Sequence, residues 1–176
     1  MTPHNLSLRR LNAVQAGTAI EGLADVLIDC VQGGASVSFM GPLPRERALA
    51  FWRQVADGVA RRERVLLVAE DDQARIVGTV QLILDMPDNQ PHRADVAKML
   101  VHRRARRQGV GEALLQALDG EARAEGRTLL VLDTVTGGDG ERLYARCGWQ
   151  RVGSVPRYAL MPDGAPCATT FFYKNV

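Results

Sequence analysis

The segment VAKMLV-HRRA-RRQGVG, Val96 to Gly111, decides the fold. Val96 to Val101 is an apolar, β-type run. RRQGVG, Arg106 to Gly111, is a basic glycine loop, and it opens an amphipathic helical pattern that runs to about Glu125. A strand, a basic glycine loop and a helix make a device for holding phosphate. The loop's N–H groups can turn inward, and glycine removes the Cβ that would keep an anion away. The helix N-terminus adds positive dipole potential.

Reading outward, Leu6 to Leu11 is a short strand. Ile20 to Val31 carries apolar residues at three- and four-residue intervals, the helical period, and Gly33-Gly34 ends it. Pro42 and Pro44 open a second helix with Ala48, Phe51, Trp52, Val55 and Val59 on one face. Val65 to Ala69 and Ile76 to Leu84 are β-rich runs split by a polar turn, a hairpin signal. The third strand of this group runs from Arg93 to Val101. After the loop and its helix comes a buried-type strand, Thr128 to Thr134, then a short helix, Glu141 to Arg146, stopped by Gly148. Trp149 to Val155 and Ala168 to Lys174 read as the last two strands. The predicted order is β-α-α-β-β-β-α-β-α-β-β, a mixed α/β fold in one domain over residues 1–176.

The chain has 176 residues and 46% hydrophobic residues, enough for a substantial core. A net charge of +2 argues against a nucleic-acid partner, as does the lack of aromatics between the four arginines of HRRARRQ, His102 to Gln108. No apolar run approaches the ~20 residues of a membrane span. MTPHNLSLRRL lacks a signal peptide's apolar core, so a soluble, cytoplasmic protein is expected. Cys30, Cys147 and Cys167 are too dispersed for a disulfide framework or a metal pair, and His4, His92 and His102 are similarly scattered; no metal is expected.

These elements resemble the GNAT family of acetyl-CoA-dependent N-acetyltransferases. The element order is the family's. Arg106, Gly109 and Gly111 fit its pyrophosphate motif, [QR]-x-x-G-x-[GA], and LYARCGWQRVG, Leu143 to Gly153, fits its later tyrosine motif. The resemblance implies a central mixed, mostly antiparallel twisted sheet, splayed between its fourth and fifth strands and flanked by helices. GGASVSFM (Gly33 to Met40), RADVAKMLV (Arg93 to Val101) and LDT…G…LY (Leu132 to Tyr144) are further similar to the tabtoxin-resistance acetyltransferases, which act on a small amino-acid-like toxin. One position departs from the family. Many relatives carry a cofactor-contacting asparagine seven residues before the motif tyrosine, where this chain has Gly137.

The resemblance implies acetyl-CoA as co-substrate. Arg106, Arg107, Gln108, Gly109, Val110, Gly111 and Glu112 would hold its pyrophosphate. Met99, Leu100 and Val101 would present backbone groups to the pantetheine arm, with Leu100 or a neighbour offering an N–H to the oxyanion. Arg103 and Arg104 are solvated or near the 3′-phosphate.

Tyr144 is the candidate acid toward the departing sulfur, since a phenol of pKa about 10 is protonated at neutral pH. The alternative is a core tyrosine. Asp133 ends an apolar strand, where a charge is out of place unless something stabilises it. It is the candidate base, or else a loop-anchoring carboxylate. Asp95 is the second candidate base, or a solvated edge charge. Ser36, Ser38, Phe39 and Met40, with Asp133, are the acceptor-side candidates, or a packed loop after a helix cap. Cys147 lacks a partner to activate it and reads as buried and inert.

The expected activity is transfer of acetyl to a primary amine on a small molecule, by a monomer or homodimer. The alternatives are an acyl-CoA sensor without transferase activity and an N-acetyltransferase of protein N-termini or lysines.

Overall fold

In the computed structural model, which describes residues 6–176, seven strands form one sheet. They are β1 (Ser7–Arg10), β2 (Arg64–Glu70), β3 (Ile76–Ile83), β4 (Arg93–Val101), β5 (Leu129–Val135), β6 (Gln150–Leu160) and β7 (Pro166–Asn175), in the order β1-β2-β3-β4-β5-β7-β6. All neighbours run antiparallel except β4 and β5. That parallel pair joins only Arg93–Asp95 to Leu129–Val131. Beyond it β4 continues to Val101 and β5 to Val135 with no pairing between them, so the sheet splays open.

The sheet's alternation sorts its residues onto two cores. Val65 and Leu67 point to one face, Leu66 and Val68 to the other. The first face packs beneath α4 (Val110–Ala124) through Leu114, Leu115 and Leu118. The second is covered by α1 (Ala13–Thr18), α2 (Ile20–Gln32) and α3 (Arg45–Ala60), with Leu23, Leu27 and Trp52 at its centre. A fifth helix, α5 (Asp139–Arg146), lies between β5 and β6 and seats Tyr144 against Trp149 and Phe172 on the α4 side.

The predicted elements are present, with three differences. α1 had no periodic signal, because only Ala16 of its six residues is buried. It is set by a capping box: Asn12 Oδ1 accepts the Gln15 N–H, and the Gln15 side chain accepts the Asn12 N–H. A 3-10 turn, Arg103–Ala105, precedes the phosphate loop. β6 also runs past Val155 to Leu160. Pro156 ends the readable alternation there, and the ladder resumes after a bulge in which Val155 faces Thr169 and Ala159 faces Cys167. Among the described residues no helix is long and apolar enough to cross a membrane.

Candidate active site

The splay opens because β4 carries a bulge. Thr79 of β3 faces Leu100 and Gln81 faces Ala97, so β4 has one residue more than its partner between these pairs. The extra length centres on Lys98, whose φ of +51° is left-handed backbone. A cavity of about 720 Å³ fills the gap, bounded by the end of β4, the phosphate loop and the start of α5.

The loop end of this cavity is built from backbone. Arg107 (φ +60°) and Gly109 (φ +80°) both take the left-handed conformation and curl the chain into the N-terminus of α4. The first helical bond is from Ala113 N–H to Gly109 C=O. The N–H groups from Arg107 to Glu112 therefore have no backbone partner in the chain, and most of these residues line the cavity. This is a nest for an anion. A Cβ on Gly111 would come within 2.9 Å of Leu143 Cδ2, so glycine lets α4 and α5 approach here. Two cations that the sequence motifs do not mark, Arg142, itself paired with Asp139, and Arg146, line the same cavity from α5. Their i,i+4 spacing on a helix facing a phosphate loop was the available signal. Gln108 does not line it, and its side-chain amide caps the Arg104 carbonyl at 3.0 Å.

The end of β4 lines the cavity through Met99, Leu100 and Val101, and the ladder phase chooses among their backbone groups. His102 N–H donates to Val77 C=O on β3, and Leu100 faces Thr79 in the same phase of the ladder. Backbone groups alternate sides along a strand, so the Leu100 N–H is spent on β3. Met99 and Val101 are the residues whose backbone faces the gap. The Val101 carbonyl is itself occupied, accepting Arg106 Nε at 3.2 Å and the Cys30 thiol at 3.5 Å. Arg106 thus braces the end of β4 with one nitrogen while lining the cavity.

Tyr144 projects from α5 into the cavity wall. Burial raises its pKa well above that of an ordinary phenol, and Asp133 and Cys147 add to the effect. The ring position depends on Gly140, where a Cβ would lie 2.6 Å from Thr134 Oγ1 and 3.5 Å from the Tyr144 ring. Gly137 does not line the cavity. It has φ +77°, donates its N–H to Glu141, and accepts Arg142 Nη1 at 2.9 Å. It serves as the hinge into α5, in a backbone conformation that asparagine also tolerates.

Asp133 and Lys98 stand on the opposite face, toward α2 and α3. Asp133 is solvent-accessible, yet partial burial raises its carboxyl above the usual range; Lys98 works against the shift and Asp95 adds to it. Lys98, also missed in the sequence, has a pKa lowered by desolvation, against the pull of Asp133 and with the push of Arg64. Its ammonium donates to Ser38 Oγ at 3.0 Å and lies 5.5 Å from the Phe51 ring centroid, and Phe51 meets Phe39 edge-on. Asp95 is paired with Arg93 on its own strand, which commits its charge. Ser36 lines the cavity, but its hydroxyl donates to the Leu160 carbonyl at 2.8 Å. Met40 is exposed.

Residues 62–151 match the family model described as an acetyltransferase (GNAT) domain. The chain is 30% identical over 131 residues to an uncharacterized N-acetyltransferase in the hisH-hisA intergenic region of Azospirillum brasilense, an alignment covering 73% of this chain and 75% of that protein. Among solved structures it is similar to a ribosomal-protein-alanine N-acetyltransferase from Brucella melitensis (TM-score 0.81, 20% identity, 97% of this chain and 99% of that one). It is also similar to yncA from Salmonella typhimurium, solved with its cofactor acetyl-CoA (TM-score 0.77, 18% identity, 97% and 94%). At these identities the structural matches speak for the fold.

Proposed function

The chain belongs to the GNAT family of N-acetyltransferases, and on that premise we propose that it moves acetyl from acetyl-CoA to the primary amine of a small molecule. The residues present fit the cofactor. The partnerless N–H groups from Arg107 to Glu112 suit a pyrophosphate, with Arg142 and Arg146 nearby, and the gap-facing backbone of Met99 and Val101 suits an amide-bearing arm. When bound, acetyl-CoA supplies the activated acyl group as a thioester.

The chain's own groups then have three tasks. Asp133 takes the proton that the attacking amine loses, and its raised pKa makes it a stronger base than an ordinary aspartate. A backbone N–H of Met99 or Val101 faces the carbonyl oxygen as negative charge develops on it. Tyr144, kept protonated by burial, donates to the departing sulfur. Holding amine and thioester together in a near-attack geometry can supply up to about 7–11 kcal/mol.

One observation favours a small acceptor over a polypeptide. The loop between α2 and α3 is stitched to the turn joining β6 and β7, by Ser36 Oγ to Leu160 C=O at 2.8 Å and by Gly41 N–H to Pro162 C=O at 2.9 Å. We read this bridge as a roof that narrows the acceptor side, which supports a small acceptor.

The test combines calorimetry with acetyl-CoA and release of free thiol across a panel of small amines and peptides. Thiol release with small amines and not with peptides is expected. Tight acetyl-CoA binding with no turnover would identify a sensor, and turnover of peptides alone would move the acceptor to proteins.

A further inference from the structure

Lys98 has no part in the transfer steps above, yet the fold sets it in an unfavourable backbone conformation. It is the bulged residue of β4, with φ +51°, and Ser38, whose Oγ accepts a hydrogen bond from its ammonium at 3.0 Å, has φ +76°. Left-handed backbone is disfavoured for residues with a Cβ, and such positions persist only where the surrounding structure holds them; they cluster at ligand sites. Here two of them meet tip to tip. Among the described residues the ammonium has no carboxylate partner; its contacts are a hydroxyl and the face of Phe51. A hydroxyl and a π face orient a cation without neutralising it.

A second observation points the same way. Gln81 is fully buried and sits in register with Ala97, next to Lys98. Its Oε1 accepts Arg64 Nη1 at 2.9 Å, while its Nε2 donors have no partner. Arg64 also adds positive potential at Lys98. Donors are therefore in excess on the β3 side of the bulge. On the β5 side stands the carboxylate of Asp133, while Asp95 is held by Arg93. A ligand carrying both signs matches this layout.

We propose that Lys98, oriented by Ser38, binds the carboxylate of an amino-acid-type acceptor whose amine lies at Asp133. This deepens the acetyltransferase reading and rests on it. Lys98 then selects zwitterionic acceptors over plain amines.

The test sets α-amino acids beside their decarboxylated amines, with wild type, Lys98→Met and Lys98→Arg, acetyl-CoA held saturating. Losing a charge-assisted contact is expected to raise the amino-acid KM about tenfold or more in Lys98→Met. Measured on the alkaline plateau, where Asp133 is ionised in every variant, KM for the decarboxylated amine and for acetyl-CoA should stay within about twofold, and Lys98→Arg should retain most of the preference. Equal losses for both acceptors, or a wild-type preference for the decarboxylated amines, would overturn the proposal. Lys98→Gln replaces the Met variant if the latter melts early. If the wild type releases thiol with no amine at all, the function reading fails on its own. Lys98 is then judged by calorimetry with N-acetyl amino acids in the presence of CoA. Binding that Lys98→Met abolishes upholds the carboxylate site, and absent or unchanged binding refutes it.

Discussion

Asp29, in the last turn of α2, accepts the backbone N–H of Arg103 at 2.8 Å and its Nε at 2.9 Å. A carboxylate at a helix C-terminus is opposed by the helix dipole. Arg103 compensates for that repulsion, and in doing so ties α2 to the turn that starts the phosphate loop. His102 Nδ1 lies 3.5 Å from the same carboxylate but accepts the Arg104 N–H at 3.2 Å. Desolvation lowers the His102 pKa, consistent with a neutral ring in that role.

Replacing Asp29 by Asn should destabilise the protein by about 1–3 kcal/mol at neutral pH, the range for charge-assisted hydrogen bonds. Desolvation pushes the Asp29 pKa up, but the hydrogen bonds from Arg103 outweigh it and the net shift is downward. A depressed folded pKa gives stability that is present above the unfolded value, about 3.9, and is lost as pH falls through the folded value. Denaturation curves of wild type and Asp29→Asn should therefore begin to converge only below about pH 4 and meet below the depressed folded pKa. A gap that persisted into strong acid would show that Arg103 does not hold Asp29 through its charge.

Gly109 tests the nest. Its φ of +80° is left-handed, and a Cβ there would meet nothing within 4 Å, so the obstacle to substitution is conformational and not steric. Gly109→Ala should cost about 1–2 kcal/mol in holding the loop's bound shape. That corresponds to roughly a tenfold weaker acetyl-CoA complex. Gly109→Asn should recover part of the loss, because asparagine tolerates this region. Equal affinities for all three proteins by calorimetry would mean that the loop's curl does not hold the cofactor.

The phosphate loop was legible in the sequence because its chemistry lies within one short segment: glycine spacing, arginines and a helix start. Asp133 stands out as a candidate because a charge interrupts an apolar strand. Lys98 was not, since it becomes distinctive only through a bulge whose register depends on β3, and its partner Ser38 is 60 residues away. The choice among Leu100 and its neighbours as backbone donor was hidden for a related reason. Which strand neighbour consumes a backbone N–H depends on ladder phase, and the motif carries no record of that phase. Arg142 and Arg146 show their role only once α5 is folded against α4.

Tyr144→Phe removes a hydroxyl and keeps the ring that packs on Trp149 and Phe172, at centroid distances of 5.8 and 6.0 Å. Stability should hardly change. Turnover should drop by about 10²–10⁴-fold, the usual yield of a positioned acid, with acetyl-CoA affinity nearly intact. Equal loss of affinity and turnover, or a lower melting temperature with proportionate loss of both, would reassign Tyr144 to the core.

Asp133 carries opposite consequences for stability and for rate, and the two together identify it. Partial burial raises its folded pKa, Lys98 opposes the rise, and Asp95 adds to it. With the folded value above the unfolded one, the favourable contribution exists below the unfolded value, about 3.9, and is lost as pH rises through the folded pKa. At neutral pH the ionised carboxylate is a net cost to the fold. Asp133→Asn should therefore leave the melting temperature unchanged or slightly higher at pH 7 while turnover collapses. In wild type, kcat/KM should fall on the acid side with an apparent pKa above about 3.9, the value of a free aspartate. The asparagine variant should lack that limb. Lys98→Met removes the charge that restrains the shift, so its acid limb should move to still higher pH. An Asp133→Asn variant that lost stability at pH 7, or kept the acid limb, would show a structural carboxylate and leave the amine's proton to another group.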